Sequence, residues 1–137
     1  MEVVHGRGYV YAIEYHIVWC VKYRKKILTA SLEKRLRVIL DEYAAEHGFT
    51  IEEFNTDLDH VHLLIAASPQ VYIPDIMKGM KGVSARLMFK SFPYLQKKLW
   101  GGHLWNPSYF IATVSDHTED QIRRYIQDQK VHDEHER

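Results

Sequence analysis

Residues 9–24 alternate between two kinds of side chain along their whole length. An aromatic or branched residue stands at every odd position from Tyr9 to Tyr23. Charged or polar residues stand at several even positions, namely Glu14, His16, Lys22 and Arg24. Because successive side chains of a strand point to opposite faces, this pattern predicts one long strand with one buried face. Such a strand needs a sheet around it, and 137 residues are the length of one domain, 1–137.

The rest of the chain predicts a regular order of further strands and helices. Strand patterns cover 49–57, 59–67 and 107–114, and helix patterns run from about Ser31 to His47, Pro74 to Lys90 and Thr118 to Val131. The order β-α-β-β-α-β is that of the ferredoxin-like fold, whose split β-α-β units form an antiparallel sheet with two helices on one face. We therefore expect an α+β protein of this type with an additional C-terminal helix.

Composition excludes several classes of protein. With 46% hydrophobic and 26% charged residues, the chain is neither disordered nor a low-complexity array. Its one cysteine, Cys20, excludes an intramolecular disulfide bond. No run of about 18 apolar residues is present to span a membrane, and no secretory signal is evident, so we expect a cytoplasmic protein.

The net charge of zero conceals separate blocks of charge. Residues 1–40 and 61–110 are basic, whereas residues 41–60 and 111–137 are acidic. Blocks of this kind are either solvated helix faces or, where they are basic, a surface for a polyanion such as nucleic acid.

The third predicted strand carries two histidines, His60 and His62, separated by Val61. Residues two apart on a strand share a face, about 6.5–7 Å apart, so the two imidazoles are placed to share one metal ion. The alternative is a pair of polar residues on a solvated face. The apolar residues that follow favour the metal, because buried imidazoles need partners for their nitrogens.

The last predicted helix has a polar residue on its inward face. Its stripe is Ile122, Tyr125, Ile126 and Gln129, and Gln129 stands where an apolar side chain is expected. The amide oxygen of Gln129 is able to complete a metal site, with the Tyr125 hydroxyl one helical turn away. The alternative is a core tyrosine beside a partly exposed glutamine.

The chain resembles the HUH single-tyrosine transposases of bacterial and archaeal insertion sequences that move as single-stranded DNA. The matching parts are His60 and His62, Tyr125 and Gln129, and the segments 16–19, 22–24, 80–85 and 105–110. The resemblance covers nearly the whole chain in order. Two departures are visible. Leu58 replaces a frequent proline before the histidine strand, and residues 115–117 lack the glycine that often precedes the tyrosine helix.

The resemblance implies a mechanism. His60, His62 and Gln129 would hold Mg²⁺ or Mn²⁺, and Tyr125 would attack a DNA phosphorus to form a 5′-phosphotyrosine linkage and a free 3′-OH. Strand transfer would then need no ATP. The implied partners are single-stranded DNA with subterminal hairpins and a second copy of the chain. We expect a homodimer in which Tyr125 reaches the histidine pair of its partner, at work on DNA in the cytoplasm, associated with the nucleoid.

DNA binding requires cations on the protein surface. The candidate residues lie at the end of the first strand and along the second helix, and they are Lys22, Arg24, Lys25, Lys26, Lys78, Lys81, Arg86 and Lys90. Three aromatic residues between that helix and the last strand, Tyr94, Trp100 and Trp105, would either stack on bases or fill a core or dimer seam.

Two other functions remain open at this level. A domesticated HUH nuclease that processes chromosomal repeats would use the same active site. A non-catalytic module that binds single-stranded nucleic acid would use the four-stranded sheet as its platform. The second alternative lacks the expected RNP aromatic signature, and it leaves the histidine pair and Gln129 unexplained.

Overall fold

Four strands form one antiparallel sheet at the centre of the protein. A computed structural model describes the backbone of residues 4–6, 9–11, 13–114 and 118–136, and the side chains of 13–99, 101–114 and 120–129. The strands are β1 (Val4–Gly6), β2 (Tyr9–Tyr11), β3 (Glu14–Cys20), β4 (Thr50–Asp57), β5 (His60–Ala66) and β6 (Phe110–Thr113). The helices are α1 (Ala30–His47), α2 (Ile73–Ser91), the short α3 (Leu95–Lys98) and α4 (Thr118–Glu136), and 3₁₀ turns cover Lys22–Arg24 and Trp100–Gly102.

The order of the strands confirms the ferredoxin-like prediction. The main sheet runs β4-β5-β3-β6, and every neighbouring pair in it is antiparallel. Helix α1 connects β3 to β4, and α2 lies between β5 and β6. This is the β-α-β-β-α-β order with its central strands first and third, and α4 is the additional helix after it.

The single long strand predicted over residues 9–24 is wrong. Residues Tyr9–Tyr11 form β2, which pairs with β1 in a separate two-stranded sheet, and β3 ends at Cys20. After it, Tyr23 and Arg24 adopt positive φ angles of 58° and 53°, which turn the chain sharply. A period of two predicts the face on which a residue lies, but it does not predict the strand with which a segment pairs.

The main core lies between the sheet and the two helices α1 and α2. From the sheet, β3 and β5 contribute fully buried side chains at alternate positions, namely Ile17, Trp19, Val61, Leu63 and Ile65. The helices contribute Leu32, Leu36, Ile39, Leu40, Met77, Met80 and Met88, all at most 2% exposed. Helix α1 ends at Gly48, whose φ of 74° is the left-handed conformation that glycine adopts at little cost.

Helices α1 and α2 approach closely at Gly79. A β-carbon built at Gly79 would overlap the hydroxyl oxygen and ring of Tyr43, whereas one built at Gly82, in the same helix, would meet nothing within 4 Å. We expect Gly79→Ala to lower the free energy of unfolding by about 1–3 kcal/mol, because overpacking displaces Tyr43. The matched Gly82→Ala should raise it by about 0.5–1 kcal/mol through helix propensity. Urea denaturation measures both, and equal stabilisation by the two substitutions would contradict the close approach.

Candidate active site

A fourth helix covers the opposite face of the sheet. Helix α4 contacts β3, β6 and the Lys22–Arg24 turn of its own chain. Val18 and Cys20 of β3, which alternate with the core residues Ile17 and Trp19, are fully buried on this second face. In this single-chain structure the helix lies on its own sheet. Its placement on the sheet of a partner stays a prediction.

The register of the sheet puts both histidines of β5 on the face that α4 covers. His62 lies directly opposite Val18, and His60 lies directly opposite Cys20. Directly opposed residues of an antiparallel pair point to the same face. Both imidazoles are half-buried. The structure therefore places the His60 and His62 side chains on the α4 side of the sheet.

His62 contacts a third histidine that the sequence did not single out as a site residue. The Nδ1 atom of His16 lies 2.8 Å from Nε2 of His62, and the ring centroids are 5.1 Å apart. One of these nitrogens carries a hydrogen and donates it in a hydrogen bond, and the other nitrogen is the acceptor. For His62 to bind a cation through Nε2, the two rings have to separate. The alternation in β3 places His16 on this face, but only the strand register predicts its contact with His62.

His60 is oriented by the carboxylate that precedes it. Its Nδ1 donates a 2.9 Å hydrogen bond to Oδ1 of Asp59, since a carboxylate only accepts. That contact keeps the proton on Nδ1 and leaves the lone pair of Nε2 for a cation. Burial raises the pKa of the Asp59 carboxyl, but hydrogen bonds from His60 and Arg24 and the Arg24 charge outweigh it, so this pKa lies below its usual value.

Arg24 connects this carboxylate to α4. Its Nε and Nη2 atoms donate to Oδ2 of Asp59 at 3.0 and 2.8 Å, and its Nη1 donates to the backbone carbonyl of Ile126 at 2.7 Å. Ile126 directly follows Tyr125. One guanidinium thus contacts both the start of the histidine strand and the centre of the last helix.

Tyr125 lies against the entry to β6. Its hydroxyl is 2.8 Å from Oγ of Ser108, and its ring centroid is 5.7 Å from that of Phe110. The Ser108 hydroxyl also donates to Oδ1 of Asn106 at 3.2 Å. Either hydroxyl of the Tyr125–Ser108 pair is able to be the donor.

Gln129 carries a buried polar atom without a partner. Its Oε1 makes no hydrogen bond with any residue that the structure describes, although the atom is buried. A buried amide oxygen without a hydrogen bond lowers the stability of the fold. A bound cation is one group that would satisfy this oxygen. Gln129 follows Tyr125 by one helical turn. The combination of an amide oxygen with two imidazoles on the covered face therefore fits a divalent ion of the Mg²⁺ or Mn²⁺ type.

Among the residues that the structure describes, no group of three or more His, Cys, Asp or Glu side chains is placed to hold a metal ion. A metal site on His60 and His62 would therefore need a ligand of another type, such as the Gln129 amide oxygen. His132 and His135, in the tail of the chain, have side chains outside the described residues, as does the 115–117 loop before α4.

The eight candidate DNA contacts separate into two groups. Five of them are exposed, and they are Lys25, Lys26, Lys78, Arg86 and Lys90. The other three interact within the protein. Lys22 lies 5.0 Å from the ring centroid of Tyr23, Arg24 binds Asp59, and Lys81 donates to the carbonyls of Asn106 and Ser108 at 2.6 and 2.9 Å.

Lys81 supports the segment that contacts Tyr125. Burial lowers the pKa of its ammonium group to about 8, and its two hydrogen bonds hold the backbone on both sides of Pro107. Ser108, the partner of the Tyr125 hydroxyl, lies in that segment. Lys81, a predicted DNA contact, thus binds the backbone of its own chain in this structure. Its contact with DNA stays a prediction.

The aromatic residues before β6 differ in their exposure to solvent. Trp105 is 6% exposed, its Nε1 donates to Oγ of Ser84 at 2.9 Å, and it packs edge-on against Trp19. It is a core residue, which decides between the two interpretations left open for it. Tyr94 is 47% exposed. The side chain of Trp100 lies outside the described residues.

No helix in the described part of the chain is both long enough and apolar enough to cross a bilayer.

Comparison with known proteins points to one family. A curated relative, the ISDra2 transposase TnpA of Deinococcus radiodurans, is 51% identical over 129 residues, which cover 94% of this chain and 92% of the relative. The transposase of insertion sequence element IS200 from Salmonella typhimurium is 26% identical over 121 residues, 86% of this chain and 80% of the relative.

Solved structures agree with the fold. The crystal structure of a candidate transposase from Deinococcus radiodurans R1 superposes with a TM-score of 0.87 at 48% identity, over 92% of this chain and 97% of that one. The structure of a REP-associated tyrosine transposase bound to a REP hairpin gives a TM-score of 0.58 at 12% identity, over 88% and 67%, a likeness of fold alone. The family model of IS200-like transposases matches residues 9–129, and the chain therefore belongs to that family.

Proposed function

We propose that this transposase cuts single-stranded DNA and transfers the strand through a 5′-phosphotyrosine linkage, with Tyr125 as the nucleophile and a divalent ion held by His60, His62 and Gln129. The observation that carries the proposal is the buried Oε1 of Gln129, which has no hydrogen-bond partner among the described residues. Gln129 lies one turn from Tyr125 on the helix that covers the His60–His62 face. A binding module without catalysis gives no reason for a buried unsatisfied oxygen at that point.

The proposed reaction is a transesterification in which Tyr125 supplies the attacking oxygen. Tyr125 loses its hydroxyl proton, its oxygen forms a bond to the phosphorus, and the bond from phosphorus to the 3′-oxygen breaks. That 3′-oxygen takes up a proton. A bound Mg²⁺ or Mn²⁺ supplies electrostatic stabilisation of the charge that develops on the phosphate. Because one phosphoester replaces another, a later attack by a different 3′-OH reverses the step without ATP.

Tyr125 has to change its hydrogen-bond partner before it reacts. In the structure its hydroxyl contacts the hydroxyl of Ser108. Attack requires that the oxygen leave Ser108 and face the phosphorus. The segment that holds Ser108 is fixed by Asn106 and Lys81, so we assign the motion to α4 rather than to the sheet.

The DNA and subunit partners form part of the same proposal. Five exposed cations, Lys25, Lys26, Lys78, Arg86 and Lys90, are available to DNA phosphates. A transposase of similar fold has been solved bound to a REP hairpin, which supports hairpin-marked single strands as the substrate. The resemblance of the sequence to transposases of this type supports a homodimer as the working unit.

The test uses DNA labelled at either end. A single strand that spans the end of the insertion sequence, with its hairpin, is incubated with the protein and Mn²⁺ and separated on a denaturing gel. We expect the 3′-labelled fragment to migrate with the protein, and the 5′-labelled fragment to be released with a 3′-OH that a polymerase extends. The same DNA as a duplex is the control. Release of both fragments free of protein would refute the phosphotyrosine linkage.

A further inference from the structure

A single arginine joins the two halves of the candidate site. Arg24 uses Nε and Nη2 on one oxygen of Asp59 and Nη1 on the carbonyl of Ile126. Its side chain is 15% exposed and that of Asp59 is 14% exposed, so water competes little for these contacts. The two oxygens of Asp59 have separate partners, since Oδ2 accepts from Arg24 and Oδ1 accepts from His60.

The backbone around Arg24 is held in an uncommon conformation. Tyr23 and Arg24 are the two non-glycine residues with positive φ angles in the described part of the chain. Residues of this kind persist where their surroundings fix them, and they concentrate at functional sites. Here the amide of Arg24 donates to the carbonyl of Val21, and the amide of Val21 donates to the carbonyl of Asp59, both at 2.9 Å. The turn is therefore bound to the start of β5 through its backbone as well as through the guanidinium.

The contact between Arg24 and Ile126 holds α4 next to Tyr125, the proposed nucleophile. Ile126 lies between Tyr125 and Gln129, and the carbonyl that accepts from Arg24 belongs to the helix itself. A sliding or turning of α4 that moves Tyr125 away from the sheet also removes this acceptor. The Arg24 guanidinium is then left with Asp59 alone.

We propose that Arg24 is a positioning residue that couples the docking of α4 to the orientation of His60 through Asp59. A docked helix holds Arg24, Arg24 holds Asp59, and Asp59 keeps Nε2 of His60 available to a cation. Since coupling between two sites is reciprocal, a cation at His60 also favours the docked helix. The inference rests on the metal site of the proposed function, and its first experiment needs no metal.

The first experiment measures amide hydrogen exchange of α4 in the metal-free protein. We expect Arg24→Gln to speed exchange in residues 122–129 about tenfold or more, while exchange in α1 stays unchanged. The matched control is Arg37→Gln, because the contacts of Arg37, an exposed ion pair with Asp41 and the ring of Phe54, lie away from α4. If Arg24→Gln leaves the exchange of α4 as it is in the unmodified chain, the positioning role is refuted.

The second experiment titrates Mn²⁺ into the protein without DNA, by calorimetry. Loss of a residue that orients a ligand typically weakens a metal about 10- to 100-fold, and we expect a change of this size for Arg24→Gln and for Asp59→Asn. Because Arg24 acts through Asp59, the double variant should bind no more weakly than Asp59→Asn alone. Arg24→Lys should restore little, since one ammonium group cannot reproduce contacts that need the three nitrogens of the guanidinium.

The outcomes separate this inference from the proposed function. If the unmodified protein binds no Mn²⁺, the metal site is wrong, and the exchange of α4 still decides whether Arg24 positions the helix. If Mn²⁺ binds and Arg24→Gln loosens α4 but leaves the affinity unchanged, the coupling to His60 is overturned. Additive losses in the double variant would overturn the route through Asp59.

Discussion

We expect Tyr125→Phe to abolish the covalent protein–DNA adduct while the protein still folds and binds its DNA. If the phenol oxygen is the proposed nucleophile, its removal should lower strand cleavage by on the order of 10⁴-fold or more. The expected cost to the fold is small, because the ring keeps its packing against Phe110 and the loss of the hydrogen bond to Ser108 costs about 1 kcal/mol. The measurement is the adduct band on a denaturing gel, alongside binding of the same DNA in a mobility shift.

A matched tyrosine elsewhere provides the control. Tyr72 is 66% exposed at the start of α2, and Tyr72→Phe should leave both the adduct and DNA binding unchanged. Peptide mapping of the adduct should place the nucleotide on the peptide that contains Tyr125. An adduct that survives Tyr125→Phe, or one that maps to another tyrosine, would remove Tyr125 from the mechanism.

Much of the fold follows from local patterns in the sequence. The helix from Ala30 to His47 was predicted from its apolar stripe and its terminal glycine, and the predicted ends differ from the observed ones by about one residue. The His60–His62 face follows from the period of two in β5, since the register confirms that both residues point toward α4. Features that depend on residues close in sequence were thus predictable.

Features that depend on contacts between distant segments were not predictable in the same way. Nothing in the sequence pairs His16 with His62, because that contact needs the register between β3 and β5. Arg24 and Lys81 were assigned to the DNA surface on charge alone. The structure turns both toward backbone carbonyls and a carboxylate, because the turn after β3 and the entry to β6 fold over them.

The role of Gln129 is inferred from the sequence and the structure together. A glutamine on the apolar stripe of a helix was the anomaly in the sequence, and two interpretations of it stayed open. The structure buries its Oε1 and gives that atom no partner among the described residues. The residue as a whole is partly exposed, as one interpretation had it, but partial exposure does not account for the buried Oε1. Stability and activity measurements on one variant separate the two interpretations.

Gln129→Leu should inactivate the enzyme without destabilising it. If the amide oxygen only filled space, its replacement would change little. If it holds a cation, cleavage with Mn²⁺ should fall at least about 100-fold, as it should for His62→Ala and for the unmodified protein in EDTA. In the metal-free protein the substitution removes a buried unsatisfied group, so the free energy of unfolding should stay equal or rise by about 1 kcal/mol.

Two measurements on the same variant therefore decide the role of Gln129. Urea denaturation in EDTA gives the stability, and the rate of adduct formation across a Mn²⁺ titration gives the activity. Ile122→Leu is the control, because Ile122 is a buried residue of α4 that carries no donor atom, and it should keep the Mn²⁺ dependence of the unmodified protein. A stable Gln129→Leu protein that cleaves at the normal rate, or an unmodified protein that cleaves equally well in EDTA, would exclude the metal role. A loss of activity that appears only together with a loss of stability would make Gln129 a packing residue, because a ligand that is buried without a partner has no hydrogen bond to lose when the metal is absent.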